Sequence, residues 1–267
     1  MASRAVRPPM GELLFIGLGL HDERGISLRG LEEARSCDTV FAEFYTSALP
    51  GLAPDGFRRL LDKEIRVLTR EEVESGEKIL DAAARQRVAL LVVGDPMAAT
   101  THVDLRLRAA AAGISTRVIP GTSVLTAAAG AVGLQSHKFG RTTTIPFLTA
   151  SFHPTSPAEV VVANLRAGLH PLVLLDVREE GGFLDPKVAL RDLIATPLRS
   201  EAGELGPGTL VVVLSHVGSP GARFVTGRIR DLLDRDLGPP PHCLIVPGPL
   251  HFLEKEALAA FAGLQEG

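Results

Sequence analysis

The chain has 267 residues, of which 45% are hydrophobic and 22% charged, and its formal net charge is −3. This length and hydrophobic content suffice for one large domain or two medium ones, and they exclude a wholly disordered chain. The small net charge, without long runs of like charge, argues against binding to nucleic acid or to an anionic membrane.

Cysteine content and terminal composition indicate a compartment. Cys37 and Cys243 lie far apart without metal-type spacing, so we expect buried free thiols in a reducing cytoplasm. No apolar run reaches the ~20 residues that a membrane-spanning helix needs. Residues 1–9 contain arginines but no apolar core, so we expect an extension before the first strand rather than a secretory signal. The protein is predicted to be cytoplasmic.

Strands and helices alternate through the first half of the chain. Apolar runs predict strands at 13–16, 39–43, 65–68, 88–93, 115–119 and 142–146. Helices are predicted between them, one capped by Ser27 and another running from a capping box at Thr69 and Glu72 to Arg85. This alternation is typical of parallel βαβ units, so residues 11–147 are predicted to form a three-layer α/β domain.

Composition changes after residue 147, where Thr, Ser and two prolines predict a linker. A second capping box is predicted at Ser156 and Glu159, with Pro157 at the first helical position. Strands are then expected at 171–177, 210–214, 222–227 and 243–246, in a mixture of hairpin-like and crossover segments. Residues 155–267 are therefore predicted to form a second α/β domain with a mixed sheet.

The loop after the apolar run at 88–93 is the first candidate site. Gly94, Asp95 and Pro96 end a strand expected to be buried on both faces, and a helix begins near His102. Ligands of open α/β sheets bind at the carboxyl ends of strands, where Asp95 is expected to lie. An Asx turn explains Asp95 equally well, so both interpretations remain open.

Two further loops could contact a ligand. Gly17-Leu18-Gly19 after the first strand, with Glu43 ending the second, invites a nicotinamide-binding interpretation, but Asp22 occupies the place of the third glycine. A nicotinamide oxidoreductase is thus kept only as an alternative from another class. The Pro120–Ser123 turn joins a strand to a helix, and its free amides could hold a carboxylate or a hydroxyl-rich ligand.

Other chemistries lack support in the sequence. None of the eight histidines belongs to a metal-binding pattern, and no GxSxG elbow marks a hydrolytic nucleophile. His242 follows three prolines, and on local sequence alone a structural role is favoured for it.

Short motifs extend over nearly the whole chain. They are FIGLGL at 15–20, DER at 22–24, AEFYTS at 42–47, GDP at 94–96, ATTH at 99–102, KFG at 138–140, LLD at 174–176, PPH at 240–242 and LIVPG at 244–248. Together they resemble the diphthine synthases, of the tetrapyrrole-methylase-like class of S-adenosylmethionine methyltransferases. GDP is shared with the wider class, whereas AEFYTS and ATTH point to the diphthine branch.

The resemblance implies two α/β domains with S-adenosylmethionine in a cleft between them, usually in a homodimer. It implies cofactor contacts from Leu20, Asp95, Ala98, Ser123, Val124, Leu175, Val217 and His242. For His242 this replaces the structural interpretation. The sequence departs from the family at Ala98, where Gly is common.

The reaction implied by the resemblance is methylation of the amino group on the 3-amino-3-carboxypropyl-histidine of translation elongation factor 2, in diphthamide biosynthesis. The archaeal form, which the compact length resembles, transfers three methyl groups. In-line displacement by a neutral amine can gain up to ~7–11 kcal/mol from positioning. We therefore assign no catalytic acid or base, and the histidine spacing gives no reason to assign a metal. A porphyrinoid methyltransferase of the same class is the alternative.

Overall fold

The computed structural model describes residues 11–149, 151–178, 182–195, 199–200 and 203–265. The extension predicted at residues 1–9 lies outside these residues. By its internal contacts the chain divides into two compact units, Met1–Ser123 and Val124–Gly267.

The first unit is built on a five-stranded parallel sheet in the order β3-β2-β4-β1-β5. Its strands are β1 (Glu12–Gly17), β2 (Thr39–Glu43), β3 (Ile65–Val67), β4 (Arg87–Val92) and β5 (Ser115–Ile119). Its helices are α1 (Leu28–Ser36), α2 (Gly56–Leu61), α3 (Arg70–Ser75), α4 (Glu77–Ala83) and α5 (His102–Ala111). The first two helices pack on one face of the sheet and the last three on the other, which confirms the predicted three-layer arrangement.

The middle of the first sheet is apolar on both faces. Residues 13–16 of β1 and 88–92 of β4 are fully buried. Helices cover both faces of a parallel sheet, so its central strands need apolar side chains in both directions. This explains why β4 shows an unbroken apolar run instead of an alternating pattern.

The long helix predicted from Thr69 to Arg85 is two helices. The capping box forms as predicted, since Thr69 Oγ1 accepts from the Glu72 amide and the Thr69 amide donates to Glu72 Oε2. However, Gly76 adopts φ +68°, ends α3 and precedes α4. A residue in the left-handed region cannot continue a right-handed helix, so the prediction of a continuous helix was wrong.

The second unit contains a five-stranded mixed sheet in the order β11-β10-β12-β7-β6. Its strands are β6 (Thr143–Ile145), β7 (Leu172–Leu175), β8 (Arg199–Ser200), β9 (Gly203–Glu204), β10 (Leu210–Ser215), β11 (Arg223–Arg228) and β12 (His242–Ile245), of which β8 and β9 form a separate pair. Its helices are α6 (Val124–Val132), α7 (Ser156–Arg166), α8 (Pro186–Ala195), α9 (Ile229–Leu232) and α10 (Phe252–Ala262). Only the β6–β7 pair in this sheet is parallel, so the predicted mixed sheet is confirmed.

The division between the units falls earlier in the chain than the predicted boundary after residue 147. The segment at 142–146 was assigned to the first domain, but β6 pairs with β7, with Thr143 opposite Val173. Ala128 of α6 shares an apolar cluster with Leu172 and Leu258 of the second unit. Local sequence patterns identify a strand but not the sheet that it joins.

Helix α7 begins one residue away from the predicted cap. Thr155, not Ser156, is the N-cap residue, and its side chain caps no backbone amide. Instead, Thr155 Oγ1 donates to Glu159 Oε1 at 2.7 Å. The capping box predicted at Ser156 and Glu159 was therefore wrong, although Pro157 lies in the first turn as expected.

Both cysteines are buried free thiols, as predicted. Burial raises the pKa of Cys37 to about 11 and that of Cys243 to about 12. Among the described helices, none combines the length and apolar character needed to cross a membrane.

Candidate functional site

The neighbouring strands β1 and β4 send the chain toward opposite faces of the first sheet. β1 leads to α1 on one face, and β4 leads to α5 on the other. Where the connections from two adjacent strands diverge in this way, an α/β sheet is expected to have a crevice at the carboxyl ends of those strands, and ligands bind there. The loops that carry Leu20 and Asp95 leave the sheet at this point.

Three glycines bring the ends of β1, β4 and β5 into backbone contact. A Cβ atom on Gly17 would lie 2.6 Å from the carbonyl oxygen of Gly94 and 2.6 Å from Cα of Gly121. A Cβ atom on Gly121 would lie 2.8 Å from Cα of Gly17. No side chain fits at these distances, so glycine is required where these three loops pack against one another.

Asp95 joins two of these loops. Its Oδ1 accepts from the Met97 amide at 2.9 Å, and its Oδ2 accepts from the Gly121 amide at 3.2 Å. The first bond confirms the predicted Asx turn, and the second ties the loop after β4 to the loop after β5. The half-buried carboxylate retains unused lone pairs, so a ligand contact remains compatible with this structural role.

The residues predicted beside Asp95 lie in the loops after β1 and β4. Gly19 and Gly94 form a bridge with amide-to-carbonyl distances of 3.2 and 2.8 Å, so Leu20 and Asp95 each follow a bridged residue. The Ala98 amide donates to the Asp95 carbonyl at 3.2 Å. Leu20, Asp95 and Ala98 are thereby gathered at one edge of the first sheet, and all three are half-buried.

Ser123 and Val124 mark the start of the Ala-rich helix. Ser123 is half-buried and directly precedes α6, whose first residue is Val124. The predicted helix ending at Val132 is confirmed.

The remaining predicted residues share one edge of the second sheet. Leu175 ends β7, Val217 follows β10, and His242 begins β12. β12 runs antiparallel to both neighbours, with His242 opposite Ser215, so its first residue lies beside their last ones.

His242 has one ring nitrogen occupied and one available. Its Nε2 lies 3.2 Å from the Leu237 carbonyl and 3.1 Å from that of Gly238, so Nε2 carries the hydrogen. Burial lowers the pKa of His242, which keeps the ring neutral at pH 7 and leaves Nδ1 as an acceptor. Nδ1 is buried and has no hydrogen-bond partner in the described part of the chain, so a donor on a ligand would satisfy it.

Sequence analysis named Glu43 and His102 but did not predict that both side chains are buried in the first unit. Glu43, fully buried at the end of β2, accepts from the amides of Tyr45 and Thr46 at 3.2 Å each and from Thr46 Oγ1 at 2.6 Å. Because it is engaged inside the protein, it is not free to bind a ribose, as the nicotinamide alternative required. His102, 1% exposed, donates from Nδ1 to the Pro96 carbonyl at 3.0 Å. The sequence signal that could have pointed to them is the presence of a glutamate inside AEFYTS and of a histidine inside ATTH.

Among the residues that the structure describes, no three His, Cys, Asp or Glu side chains are grouped so that they could hold a metal ion.

Comparison with known proteins places these features in a family. The model of the tetrapyrrole (corrin/porphyrin) methylases matches residues 12–233. A diphthine synthase of Methanothermobacter thermautotrophicus is 42% identical over 252 residues, which cover 94% of this chain and 96% of that protein. A diphthine synthase of Halorubrum lacusprofundi is 44% identical over 258 residues, which cover 94% and 97%.

A solved structure agrees with the sequence comparison. A crystal structure of a diphthine synthase superposes with a TM-score of 0.85 at 33% identity, over 94% of this chain and 96% of that one. The chain belongs to the tetrapyrrole (corrin/porphyrin) methylase family, groups within it with the diphthine synthases, and is a methyltransferase.

Proposed function

We propose that this methyltransferase uses S-adenosylmethionine to methylate the amino group of the 3-amino-3-carboxypropyl-histidine of elongation factor 2, and that it adds three methyl groups. The observation that carries the proposal is the match to diphthine synthases over nearly the full chain. The strand order supports it, because a ligand crevice is expected at the carboxyl ends of β1 and β4, where their connections leave opposite faces of the sheet.

The proposal assigns the cofactor contacts to two sets of residues. The first unit contributes Leu20, Asp95, Ala98 and Ser123, and the second contributes Val124, Leu175, Val217 and His242. S-adenosylmethionine carries hydroxyl, amine and ammonium donors. These donors match the carboxylate of Asp95 and the unpartnered Nδ1 of His242, both of which accept hydrogen bonds.

The reaction requires the protein mainly to align the acceptor amine with the methyl group. The amine lone pair forms the new C–N bond while the C–S bond breaks and its electron pair stays on sulfur. The first two transfers release a proton to solvent, and the third, onto a tertiary amine, releases none. Positioning alone can lower such a barrier by up to ~7–11 kcal/mol, so no acid or base is assigned.

The remaining proposals concern assembly and location. We propose elongation factor 2 as the protein substrate, a homodimer as the assembly, and the cytoplasm as the compartment. Two buried free thiols are compatible with a reducing compartment.

A competition between acceptors tests the proposed substrate. The protein is incubated with methyl-labelled S-adenosylmethionine and either elongation factor 2 bearing the aminocarboxypropyl-histidine or a porphyrinogen. We expect label only in the elongation factor. Label only in the porphyrinogen would favour the porphyrinoid methyltransferase alternative, which rests on the shared GDP loop.

A further inference from the structure

Each of the two motifs that are most typical of the diphthine branch contributes a buried polar side chain to the first unit. AEFYTS contributes Glu43 at the end of β2, and ATTH contributes His102 at the start of α5. Both side chains are almost wholly buried. Burial, the dominant effect, raises the pKa of Glu43, whereas the nearby His102 opposes this rise.

His102 also holds the loop that carries Asp95. Its Nδ1 donates to the Pro96 carbonyl at 3.0 Å, and Thr100 Oγ1 donates to the same oxygen at 3.0 Å. The carbonyl next to Asp95 is thus fixed twice from the segment that enters α5. The imidazole ring packs against Phe15 of β1, with ring centroids 6.5 Å apart.

The loop needs such restraint because its backbone is strained. Ala99 lies in the left-handed region with φ +57°, which is unfavourable for a residue with a Cβ atom. A strained residue persists only where its surroundings fix it, and such residues cluster at ligand-binding loops. The bonds to Pro96 lie on one side of Ala99, and α5 begins on the other.

We propose that His102 is a positioning residue: through its bond to Pro96, it fixes Asp95 in the geometry that binds the methyl donor. This inference rests on the proposed function for the identity of that ligand. Asp95 in turn bonds the amides of Met97 and Gly121, so the state of the loop is measurable at these two amides without any ligand.

Two substitutions distinguish the effect of losing the hydrogen bond from the effect of losing the volume of the ring. In His102→Asn, the side-chain amide nitrogen lies near the former Nδ1 position and can still donate to Pro96. In His102→Gln, the amide lies one bond further out, near the former Nε2, and the donor at Nδ1 is lost. His170→Gln is the control for general destabilisation, because His170 is fully buried in the second unit.

The first measurement is hydrogen exchange at the Met97 and Gly121 amides of the ligand-free protein. We expect exchange about tenfold faster in His102→Gln than in His102→Asn, which is the size expected for one hydrogen bond. In the His170→Gln control, we expect the ratio of the exchange rates at these two amides to be the same as in the unmodified protein. Equal exchange in both His102 variants would overturn the proposal, since the bond to Pro96 would then not hold the loop.

The second measurement is the Kd of S-adenosylhomocysteine by calorimetry. We expect about tenfold weaker binding in His102→Gln and near-normal binding in His102→Asn, although both variants melt at a lower temperature. Equal losses in both would contradict a role for the hydrogen bond. If the unmodified protein binds no S-adenosylhomocysteine, the proposed function fails, and hydrogen exchange alone decides the role of His102.

Discussion

The buried carboxylate of Glu254 accepts a hydrogen bond from Nε2 of His170 at 3.1 Å, and both side chains are fully buried. His170 Nδ1 accepts from the Gly248 amide at 2.8 Å, so the neutral ring is satisfied at both nitrogens. Glu254 also accepts from Lys138 and from the amides of Gln135 and His251. This network joins KFG and LIVPG, two motifs distant in sequence, around the start of α10.

The glycines of these two motifs are needed for close packing. A Cβ atom on Gly140 would collide with Oδ1 of Asn164, which accepts from the Arg141 amide at 2.8 Å. A Cβ atom on Gly248 would lie 2.7 Å from the Leu169 carbonyl oxygen. In the second unit, these motif residues therefore contribute to packing and to a buried hydrogen-bond network.

Removing the charge of Glu254 should weaken the second unit. In Glu254→Gln, one carboxylate oxygen becomes an NH₂ group. This group faces the Lys138 ammonium and the His251 amide, so these two donors lose their acceptor. We expect the free energy of unfolding to fall by about 3 kcal/mol in urea titration. Glu256→Gln, on the exposed side of the same helix, should change it by less than about 0.5 kcal/mol. Equal effects of the two substitutions would mean that the network contributes nothing.

The same network predicts how stability depends on pH. Burial lowers the pKa of His170 below its usual 6.5, and His242 shifts in the same direction for the same reason. At these two histidines the unfolded chain then binds more protons, so their contribution to stability is complete above pH 6.5 and declines as the pH falls through the lowered pKa values.

Glu254 extends this decline to lower pH. Burial alone would raise its pKa, but hydrogen bonds from Lys138, from the His251 and Gln135 amides and from His170 outweigh it and lower the pKa to about 2. Its contribution is complete above about pH 4.5 and disappears toward pH 2. Urea titrations between pH 8 and pH 3 check both steps, and His170→Gln should flatten the first. Stability that rises as the pH falls below 6.5 would contradict this assignment.

Substitution of Gly17 should damage the proposed cofactor crevice. A methyl group there would overlap the backbone of Gly94 and Gly121, and overpacking of this kind costs about 1–3 kcal/mol or more. We expect Gly17→Ala to lower the free energy of unfolding by that amount and to weaken S-adenosylhomocysteine binding.

Gly130→Ala is the matched control, since a Cβ atom there meets nothing within 4 Å. Because Gly130 lies inside helix α6, this control should stabilise the protein by about 0.5–1 kcal/mol. Tolerance of both substitutions would refute the close approach of the three loops.

Asp95→Asn tests the carboxylate at the end of β4. An asparagine amide has one acceptor oxygen, so either the Met97 or the Gly121 amide faces an NH₂ group instead. We expect stability to fall by about 1 kcal/mol and S-adenosylhomocysteine binding to weaken about tenfold. Asp104→Asn removes an exposed carboxylate paired with Arg108 in α5 and should leave the Kd unchanged. If both variants bind equally well, Asp95 has no role in the ligand site.

Local patterns predicted much of the fold because local chemistry determines it. β2 spans Thr39–Glu43 and β5 spans Ser115–Ile119, as the apolar runs indicated. Ser27 Oγ caps α1 by accepting from the Gly30 amide at 3.0 Å. The Asx turn of Asp95 likewise depends only on residues within the loop.

The wrong assignment of β6 and the unpredicted bond between His170 and Glu254 depend on contacts that are distant in sequence, whereas the break at Gly76 and the cap of α7 are local features. Nothing near residues 143–145 reveals that their partner strand begins at Leu172. The bond between His170 and Glu254 spans 84 residues, and no pattern within one helix or strand contains both partners. Glu43 is polar yet buried at a strand end, because the Tyr45 and Thr46 amides and the Thr46 hydroxyl satisfy its carboxylate. The ligand role of the eight predicted cofactor residues stays a prediction.

The most direct test of the account is the intact mass of elongation factor 2 that carries the aminocarboxypropyl-histidine, after incubation with this protein and S-adenosylmethionine. We predict a mass gain of three methyl units, which an elongation factor without the modified histidine should not show. An unchanged mass, with S-adenosylhomocysteine still bound by the protein, would contradict the proposed substrate and direct the search to another acceptor of this family.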